Sequence, residues 1–151
     1  MDLALTDEQT LIQETARRFA TTELAPAAAL VEDAAQRPLY LKNLKGLADL
    51  GFMGLNVEPQ YGGTGAGVVA FSVAITEIAR ACAATTVAMS VNNMVAEVIQ
   101  AIGNDAQKEA YIPRICSGEY AAAGFCLSES GAGSDPSGMK TRAVRDGDHY
   151  V

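Results

Sequence analysis

The sequence predicts a mainly α-helical fold that is followed by the opening of a β domain. Apolar residues recur at helical spacing over most of the chain up to about residue 120. Beyond that point the pattern changes to short apolar and alternating stretches, and Asp146-Gly147 is a strong hairpin-turn signal. We therefore expect a helical N-terminal domain over residues 1–120 and the first strands of an incomplete β domain over residues 121–151.

Composition excludes several classes of function. The chain has 151 residues, of which 49% are hydrophobic, and a formal net charge of -7. An acidic balance without clusters of Lys and Arg argues against nucleic-acid binding. The N-terminal stretch MDLALTDEQT lacks the positive charge of a signal peptide, and polar residues interrupt every apolar stretch before the roughly 18 residues that span a bilayer. We expect a soluble cytoplasmic protein that does not bind membranes.

The cysteines predict no cross-link and no metal site. Cys82, Cys116 and Cys126 are odd in number and show no CxxC spacing. A disulfide framework or a zinc site needs a regular set of cysteines or histidines. We therefore expect reduced thiols in the core, and no metal.

The first predicted helix covers residues 5–24. Thr6 and Gln9 fit a capping box at its start. Its apolar residues at helical spacing predict a buried face: Leu11, Ile12, Ala16, Phe19 and Ala20. Pro26 suits the first turn of a second helix, which we expect to run through Ala35.

Four more helices follow. Pro38 opens one that Gly51 can close in the left-handed conformation. One side of this helix is predicted to carry Leu41, Leu44, Leu47 and Leu50. The next helix is expected to end near Ala83, and another runs from about Thr85 to Ile102. Asn104 can cap a further helix.

A first glycine cluster, GGTGAG, spans residues 62–67. It lies between MGLNV, which could pass as a strand, and a helix, and so loosely imitates a dinucleotide-binding turn. The spacing does not match G-x-G-x-x-G, and no second parallel strand follows at the right distance. A turn that joins two helices is the favoured interpretation.

The second glycine cluster lies within GFCLSESGAGSDPSG, residues 124–138. Gly131 and Gly133 allow a positive φ and a close approach of the backbone. Successive N–H groups in such a turn can converge on an anion, and the hydroxyls of Ser128 and Ser134 can add donors. The pattern fits a pyrophosphate or the polar edge of a flavin. An ordinary turn between strands remains the alternative.

Several segments together resemble the N-terminal part of acyl-CoA dehydrogenases, in the family's order and spacing. They are LTDEQTLIQETARRF, GLADLGFMGLNVEPQYGGTGAG, ITEIARACAA and IGNDAQKEAYIPRICSGEYAAAGFCLSESGAGSD. The flavin loop of the family usually has Thr-Glu-Pro before Gly-x-Gly-Ser-Asp. Here Ser128 keeps a hydroxyl, while Ser130 replaces the rigid proline.

The resemblance implies a fold in three parts, of which this chain supplies the helical domain and the opening strands of the middle β domain. It also implies a reaction on FAD. A carboxylate removes the α proton of an acyl-CoA thioester while a hydride leaves the β carbon for the flavin, which gives the trans-2-enoyl-CoA. An electron-transfer flavoprotein then accepts the electrons, and the enzyme forms a homo-oligomer.

The resemblance also implies roles for individual residues. Along the flavin would lie Phe125, Cys126, Leu127 and Ser128. Gly133 and Ser134 would lie near the pyrophosphate, and Ser134 would also touch the acyl-CoA. One wall of the acyl-chain pocket would comprise Val87, Ser90, Val91 and Met94, which share a helix face. Plain strand packing of Phe125 and Leu127, and a core stripe on the helix, are the alternatives.

The family's catalytic base has no counterpart in this chain, and we assign no catalytic residue. Glu129 matches the loop glutamate of the family and not the base, and His149 is expected to be exposed. The 151 residues alone are therefore expected to be inactive. A non-catalytic helical binding module and a flavoprotein that resembles acyl-CoA oxidases or nitroalkane-oxidizing enzymes remain as alternatives.

Overall fold

The computed structural model describes residues 4–151, so the first three residues of the expected helical domain lie outside the described residues. Within the described part, five α-helices make up most of the fold, which confirms the mainly α-helical prediction. The helices are α1 (Asp7–Phe19), α2 (Arg37–Asp49), α3 (Gly67–Ala81), α4 (Ala83–Ile102) and α5 (Asp105–Cys116). None of these helices has the length and apolarity that crossing a membrane demands.

Two helices begin with the hydrogen bonds of a capping box. At α1 the Gln9 N–H donates to Thr6 Oγ1 over 3.2 Å, and the Thr6 N–H donates to Gln9 Oε1 over 3.1 Å. At α5 Asn104 and Gln107 make the same reciprocal pair, each bond 2.9 Å long. Each box satisfies backbone donors that the first helical turn leaves without a partner. Both predicted helix starts are confirmed.

The expected single helix from Pro26 through Ala35 is wrong. The first helix continues as a wider turn at Ala20–Leu24, where the Ala25 N–H donates to the carbonyl of Ala20, five residues earlier. A 3₁₀ helix at Ala25–Leu30 and a short one at Ala34–Gln36 follow. Because Pro26 has no N–H, the α-helical ladder cannot run through it, and the chain changes pitch there.

The main core lies between α1, α2, α3, the first half of α4 and the turn at Phe52–Gly54. Its fully buried large side chains include Leu24, Leu47, Met53, Leu55, Ile78 and Met89. A smaller cluster joins α4 and α5 through Val57, Ala96, Ile112, Ile115 and Cys116. Ala16, Ala20, Leu44 and Leu47 are buried as expected. Leu41 and Leu50 are partly exposed, so the side of α2 that faces the core is narrower than the leucine pattern indicates.

Leu11 does not belong to the buried face, since it is 64% exposed. Five residues of an α-helix turn through about 500°, so Leu11 lies about 140° around α1 from Ala16. Ala16 is fully buried where α1 packs on α3. The prediction placed Leu11 on the buried face because the residue is apolar, whereas it lies on the exposed side of α1.

The connection between α2 and α3 is a turn. The residues of MGLNV form a 3₁₀ turn and bends and no strand, so the dinucleotide-binding interpretation has no structural support in the described chain. Gly51 has the left-handed conformation expected of it, with φ 78°. A Cβ at Gly63 would lie 2.1 Å from the carbonyl oxygen of Val57, so only glycine fits there. The two helices that follow are separated by Cys82, whose backbone is extended.

The chain ends in a short hairpin. Strands β1 (Arg145–Asp146) and β2 (His149–Tyr150) pair antiparallel, and Gly147 takes φ 63° in the turn, as the Asp-Gly signal predicted. Residues 121–128 and 139–144, in contrast, form no strand. Val144 exchanges two backbone hydrogen bonds of 2.9 Å with Val151, but the rest of these stretches has no neighbouring strand within the described chain, and a lone hairpin offers no sheet to join.

A buried carboxylate joins α1 to α3. Glu77 is 3% exposed, and its two oxygens accept hydrogen bonds from Nε and Nη2 of Arg17 over 3.2 and 3.0 Å. Arg80 Nη1 adds a third bond of 3.3 Å. The hydrogen bonds from Arg17 hold the pKa of Glu77 below its ordinary value of 4.5, against the opposing effect of burial. The pair fixes how α1 lies on α3.

Replacing Glu77 tests this pair. We expect Glu77→Gln to lower the free energy of unfolding by about 1–3 kcal/mol at pH 7, since hydrogen bonds to an ionised group are lost. Because the folded-state pKa is lowered, the stabilisation is complete above the ordinary value near 4.5 and disappears as the pH falls through the lowered value. Urea unfolding of both proteins should therefore converge in acid. Glu109→Gln, at an exposed position of α5, is the control. An equal difference at every pH would contradict the assignment.

Candidate functional site

Two adjacent amides of α4 organise the surroundings of the predicted site. Asn92 and Asn93 are both fully buried. Asn92 Nδ2 donates to the carbonyls of Met53 and Ile115 over 3.0 and 3.4 Å, and its Oδ1 accepts from the Ala123 N–H over 3.0 Å. The sequence analysis missed both asparagines. Their signal was the pair of amides in the otherwise apolar stretch VAMSVNNMVAEV.

The segment predicted to lie along a cofactor is open to its surroundings. Phe125 is 51% exposed and Leu127 is 40% exposed. Cys126 and Ser128 are also exposed. In the described chain Phe125 and Leu127 are not packed within a sheet, so the alternative of strand packing does not apply to them. The exposed cysteine also departs from the expectation of core thiols, which Cys82 and Cys116 fulfil; burial raises the pKa of Cys116 to about 11.

The loop after this segment is closed by hydrogen bonds. Glu129 and Ala132 exchange backbone bonds of 3.0 and 3.1 Å, and Ala132 is 3% exposed. The Glu129 carboxylate accepts from the backbone N–H groups of Lys140 and Thr141, each over 2.9 Å. Hydrogen bonds from the Thr141 side chain and from these two N–H groups lower the pKa of Glu129. The Glu129 carboxylate therefore joins the start of the loop to its end, and we call these two hydrogen bonds the clasp.

The two loop glycines do not use their conformational freedom as expected. Neither Gly131 nor Gly133 has a positive φ. Chain neighbours aside, no atom of residues 4–151 lies within 4 Å of the place where a Cβ would stand at Gly124, Gly131 or Gly133. These glycines thus leave free space beside the backbone. That space, together with the exposed Ser128 and Ser134, fits a ligand that approaches the main chain closely and accepts hydrogen bonds.

The predicted face of α4 is partly open. Val87 is 62% exposed and Met94 is 38% exposed, while Ser90 and Val91 are half-buried. The alternative of a core stripe therefore does not describe Val87. Ser90 and Met94 line a groove of about 530 Å³, whose other walls are Asn56, Val68, Phe71, Glu97, Val98 and Ala101. Val87, Val91 and residues 124–134 are not part of its lining.

His149 is exposed, as expected, and its Nδ1 lies 3.1 Å from Asp148 Oδ1. Within residues 4–151, no three side chains of His, Cys, Asp or Glu come together in an arrangement that could hold a metal ion.

A helical domain that continues into an exposed, clasped glycine loop corresponds to the N-terminal part of a known class of oxidoreductases. Residues 6–119 match the family model of the acyl-CoA dehydrogenase N-terminal domain. The chain belongs to the acyl-CoA dehydrogenase family.

Individual relatives extend this likeness over the whole chain. The short-chain specific acyl-CoA dehydrogenase of Clostridium acetobutylicum is 35% identical over an alignment of 152 positions, which covers 100% of this chain and 39% of that protein. The electron transferring flavoprotein structure of Acidaminococcus fermentans contains a chain with a TM-score of 0.87 and 30% identity. The match covers 100% of our chain and 39% of that chain. The acyl-CoA dehydrogenase of Bacillus anthracis complexed with FAD gives a TM-score of 0.80 and 28% identity. The match covers 92% of our chain and 24% of that chain. The chain thus spans about two fifths of the length of the first of these relatives.

The clasp of Glu129 can be tested by hydrogen exchange. We expect Glu129→Gln to accelerate exchange of the Lys140 and Thr141 amides, because a neutral acceptor makes weaker bonds than a carboxylate. Amide exchange would be followed by NMR. Glu109→Gln, which changes an exposed glutamate of α5, should leave both amides unaffected. Unchanged exchange in Glu129→Gln would mean that the clasp does not exist in solution.

Proposed function

We propose that this chain is the N-terminal part of a flavin-dependent oxidoreductase that converts acyl-CoA thioesters to trans-2-enoyl-CoA. The observation that carries the proposal is the mostly exposed segment 124–134, whose loop is clasped by Glu129 and which directly follows Ala123, the residue bonded to Asn92. Its position directly after a domain of the acyl-CoA dehydrogenase family supports this assignment.

The residues present fit FAD. The segment offers backbone N–H groups and the Ser128 and Ser134 hydroxyls, and free space lies beside Gly133. Neutral donors of this kind suit the polar edge of a flavin and a pyrophosphate. We propose that the flavin lies along Phe125, Cys126, Leu127 and Ser128, and that Gly133 and Ser134 hold the pyrophosphate. The likeness to a chain complexed with FAD supports this choice of cofactor.

FAD, when bound, supplies the acceptor for the hydride that leaves the substrate. The residues of this chain are proposed to bind and orient the cofactor and the acyl-CoA. Ser134 is proposed to touch the acyl-CoA as well as the cofactor. The exposed face of α4 is proposed to form one wall of the acyl-chain pocket and to exclude water there, through Val87, Ser90, Val91 and Met94.

Proton abstraction is assigned to no residue of this chain. Glu129 is the one carboxylate of the segment 124–134, but its pKa is lowered by the hydrogen bonds from Thr141 and the loop backbone. A general base works best with a pKa near the working pH. A carboxylate with a lowered pKa whose oxygens already accept two backbone N–H groups is a weak base, and its part in the proposal is structural.

Partners and domain organisation belong to the same proposal. We propose an electron-transfer flavoprotein as the electron acceptor and a homo-oligomer as the assembly. The likeness to a chain of the Acidaminococcus fermentans structure supports the first. We also propose the domain boundary at Tyr120, where Arg114 holds the chain through Tyr120 Oη over 3.2 Å.

The protein encoded by the complete reading frame tests the proposed activity. We expect it to bind FAD and to bleach the flavin absorbance when butyryl-CoA or octanoyl-CoA is added without oxygen, with trans-2-enoyl-CoA found by mass spectrometry. Ser128→Ala should weaken FAD binding about fivefold through the loss of one hydrogen bond. Ser137→Ala, whose hydroxyl bonds Asp135, is the control.

Other outcomes identify the alternatives. Rapid oxidation of the reduced flavin by oxygen would favour an oxidase-like enzyme. A protein that binds no flavin would contradict the proposal and favour a helical binding module.

The 151-residue polypeptide alone gives a separate prediction. We expect no enoyl-CoA from butyryl-CoA even with added FAD, because we propose that none of these 151 residues is the base that removes the α proton. Liquid chromatography of the thioesters would detect the product, and the protein from the complete reading frame is the positive control. Turnover by the short polypeptide would place a base within it and would contradict the structural part given to Glu129.

A further inference from the structure

We propose that Asn92 is a positioning residue that sets where the flavin-contacting segment begins. This inference rests on the proposed function. Its side chain reaches three backbone groups in three separate parts of the chain: the carbonyls of Met53 and Ile115, and the N–H of Ala123. Ala123 stands two residues before Phe125. The side-chain amide of Asn92 thus connects Ala123, the first residue of what we call the site segment (residues 123–134), to the backbone of Met53 and Ile115 in the helical domain.

The bond to Ala123 is the anchor of the segment. Within residues 121–128 of the described chain, it is the one hydrogen bond that connects the segment to the helical domain. The side chains after it are exposed, including Phe125 and Leu127, so packing adds little restraint. A hydrogen bond to a fully buried amide resists exchange with water. The direction in which the segment leaves the helical domain after α5 therefore depends on Asn92.

Asn93 offers a matched comparison on the same helix. It is as deeply buried as Asn92. Its Nδ2 donates to the carbonyls of Phe52 and Met89, each over 2.9 Å, and its Oδ1 accepts from the Leu55 N–H over 2.8 Å. It contacts the turn after α2 and makes no hydrogen bond to residues 121–128. A general loss of stability should follow from changing either residue, whereas displacement of the segment should follow from changing Asn92 alone.

The experiment compares Asn92→Ala and Asn93→Ala in the protein from the complete reading frame. Exchange of single backbone amides is measured first, and the dissociation constant of FAD second. In Asn92→Ala we expect faster exchange at Ala123 and FAD binding weakened about fivefold, as the loss of one anchoring hydrogen bond implies. In Asn93→Ala we expect faster exchange at Leu55, unchanged exchange at Ala123 and FAD affinity within twofold of the unaltered protein.

A second pair of variants covers the case in which Asn92→Ala does not fold. Ala123→Pro removes the same hydrogen bond from the other end, since proline has no N–H. Ala122→Pro leaves the bond between Ala123 and Asn92 in place and is its control. We expect FAD affinity to fall in Ala123→Pro by the same factor as above, and to stay within twofold in Ala122→Pro.

The outcomes separate this inference from the proposed function. Equal effects of Asn92→Ala and Asn93→Ala on FAD affinity would overturn the positioning role while flavin binding stands. Faster exchange at Ala123 with unchanged FAD affinity would also overturn it, because the anchor would then not reach the cofactor. Failure of the unaltered protein to bind FAD would overturn the proposed function, and this inference with it, before any variant is compared.

Discussion

The hydrogen bonds of Asn92 and Asn93 are the constraint on which the rest of the structure depends. A buried amide without partners costs several kcal/mol, roughly 2–7 depending on the reference state. Helix α4 can therefore enter the core only if backbone groups from elsewhere come to these two side chains. The turn after α2, the end of α5 and the start of the site segment meet that need. Burial of α4 and placement of the site segment are one event.

The apolar core alone would not specify this arrangement so narrowly. Several buried positions of α1 and α3 are alanines, including Ala16, Ala70 and Ala74, and small side chains leave helices free to slide against each other. Directional contacts restrict that freedom. The fork of Arg17 on Glu77 fixes α1 against α3, as the two asparagines fix α4 against its neighbours. Polar groups in the core thus determine register, while hydrophobic burial supplies most of the driving force.

Local signals in the sequence were good predictors, and signals that depend on a distant partner were not. The capping boxes, the left-handed Gly51 and the Asp-Gly hairpin each involve residues within a few positions of one another, so their chemistry is visible in the sequence. The exposure of Leu11 depends on which side of α1 meets α3. The importance of Asn92 depends on Ala123, 31 positions away. The serine donors and the close backbone approach at the glycines were predicted from residue type, but the ordinary φ of Gly131 and Gly133 and the open space beside them could be described only from the fold.

The site segment is restrained by hydrogen bonds at two places, at its start and within its loop. Asn92 restrains the segment at Ala123, and Glu129 restrains the loop from within by accepting the N–H groups of Lys140 and Thr141. Between these two restraints the side chains stay exposed and the glycines leave room along the backbone. The hydrogen bonds that shape the segment lie at its ends and leave this stretch open, which supports the flavin site proposed for it. The lowered pKa of Glu129 has the same origin, because the Thr141 side chain and the loop N–H groups bond the ionised carboxylate, which supports the structural role proposed for it.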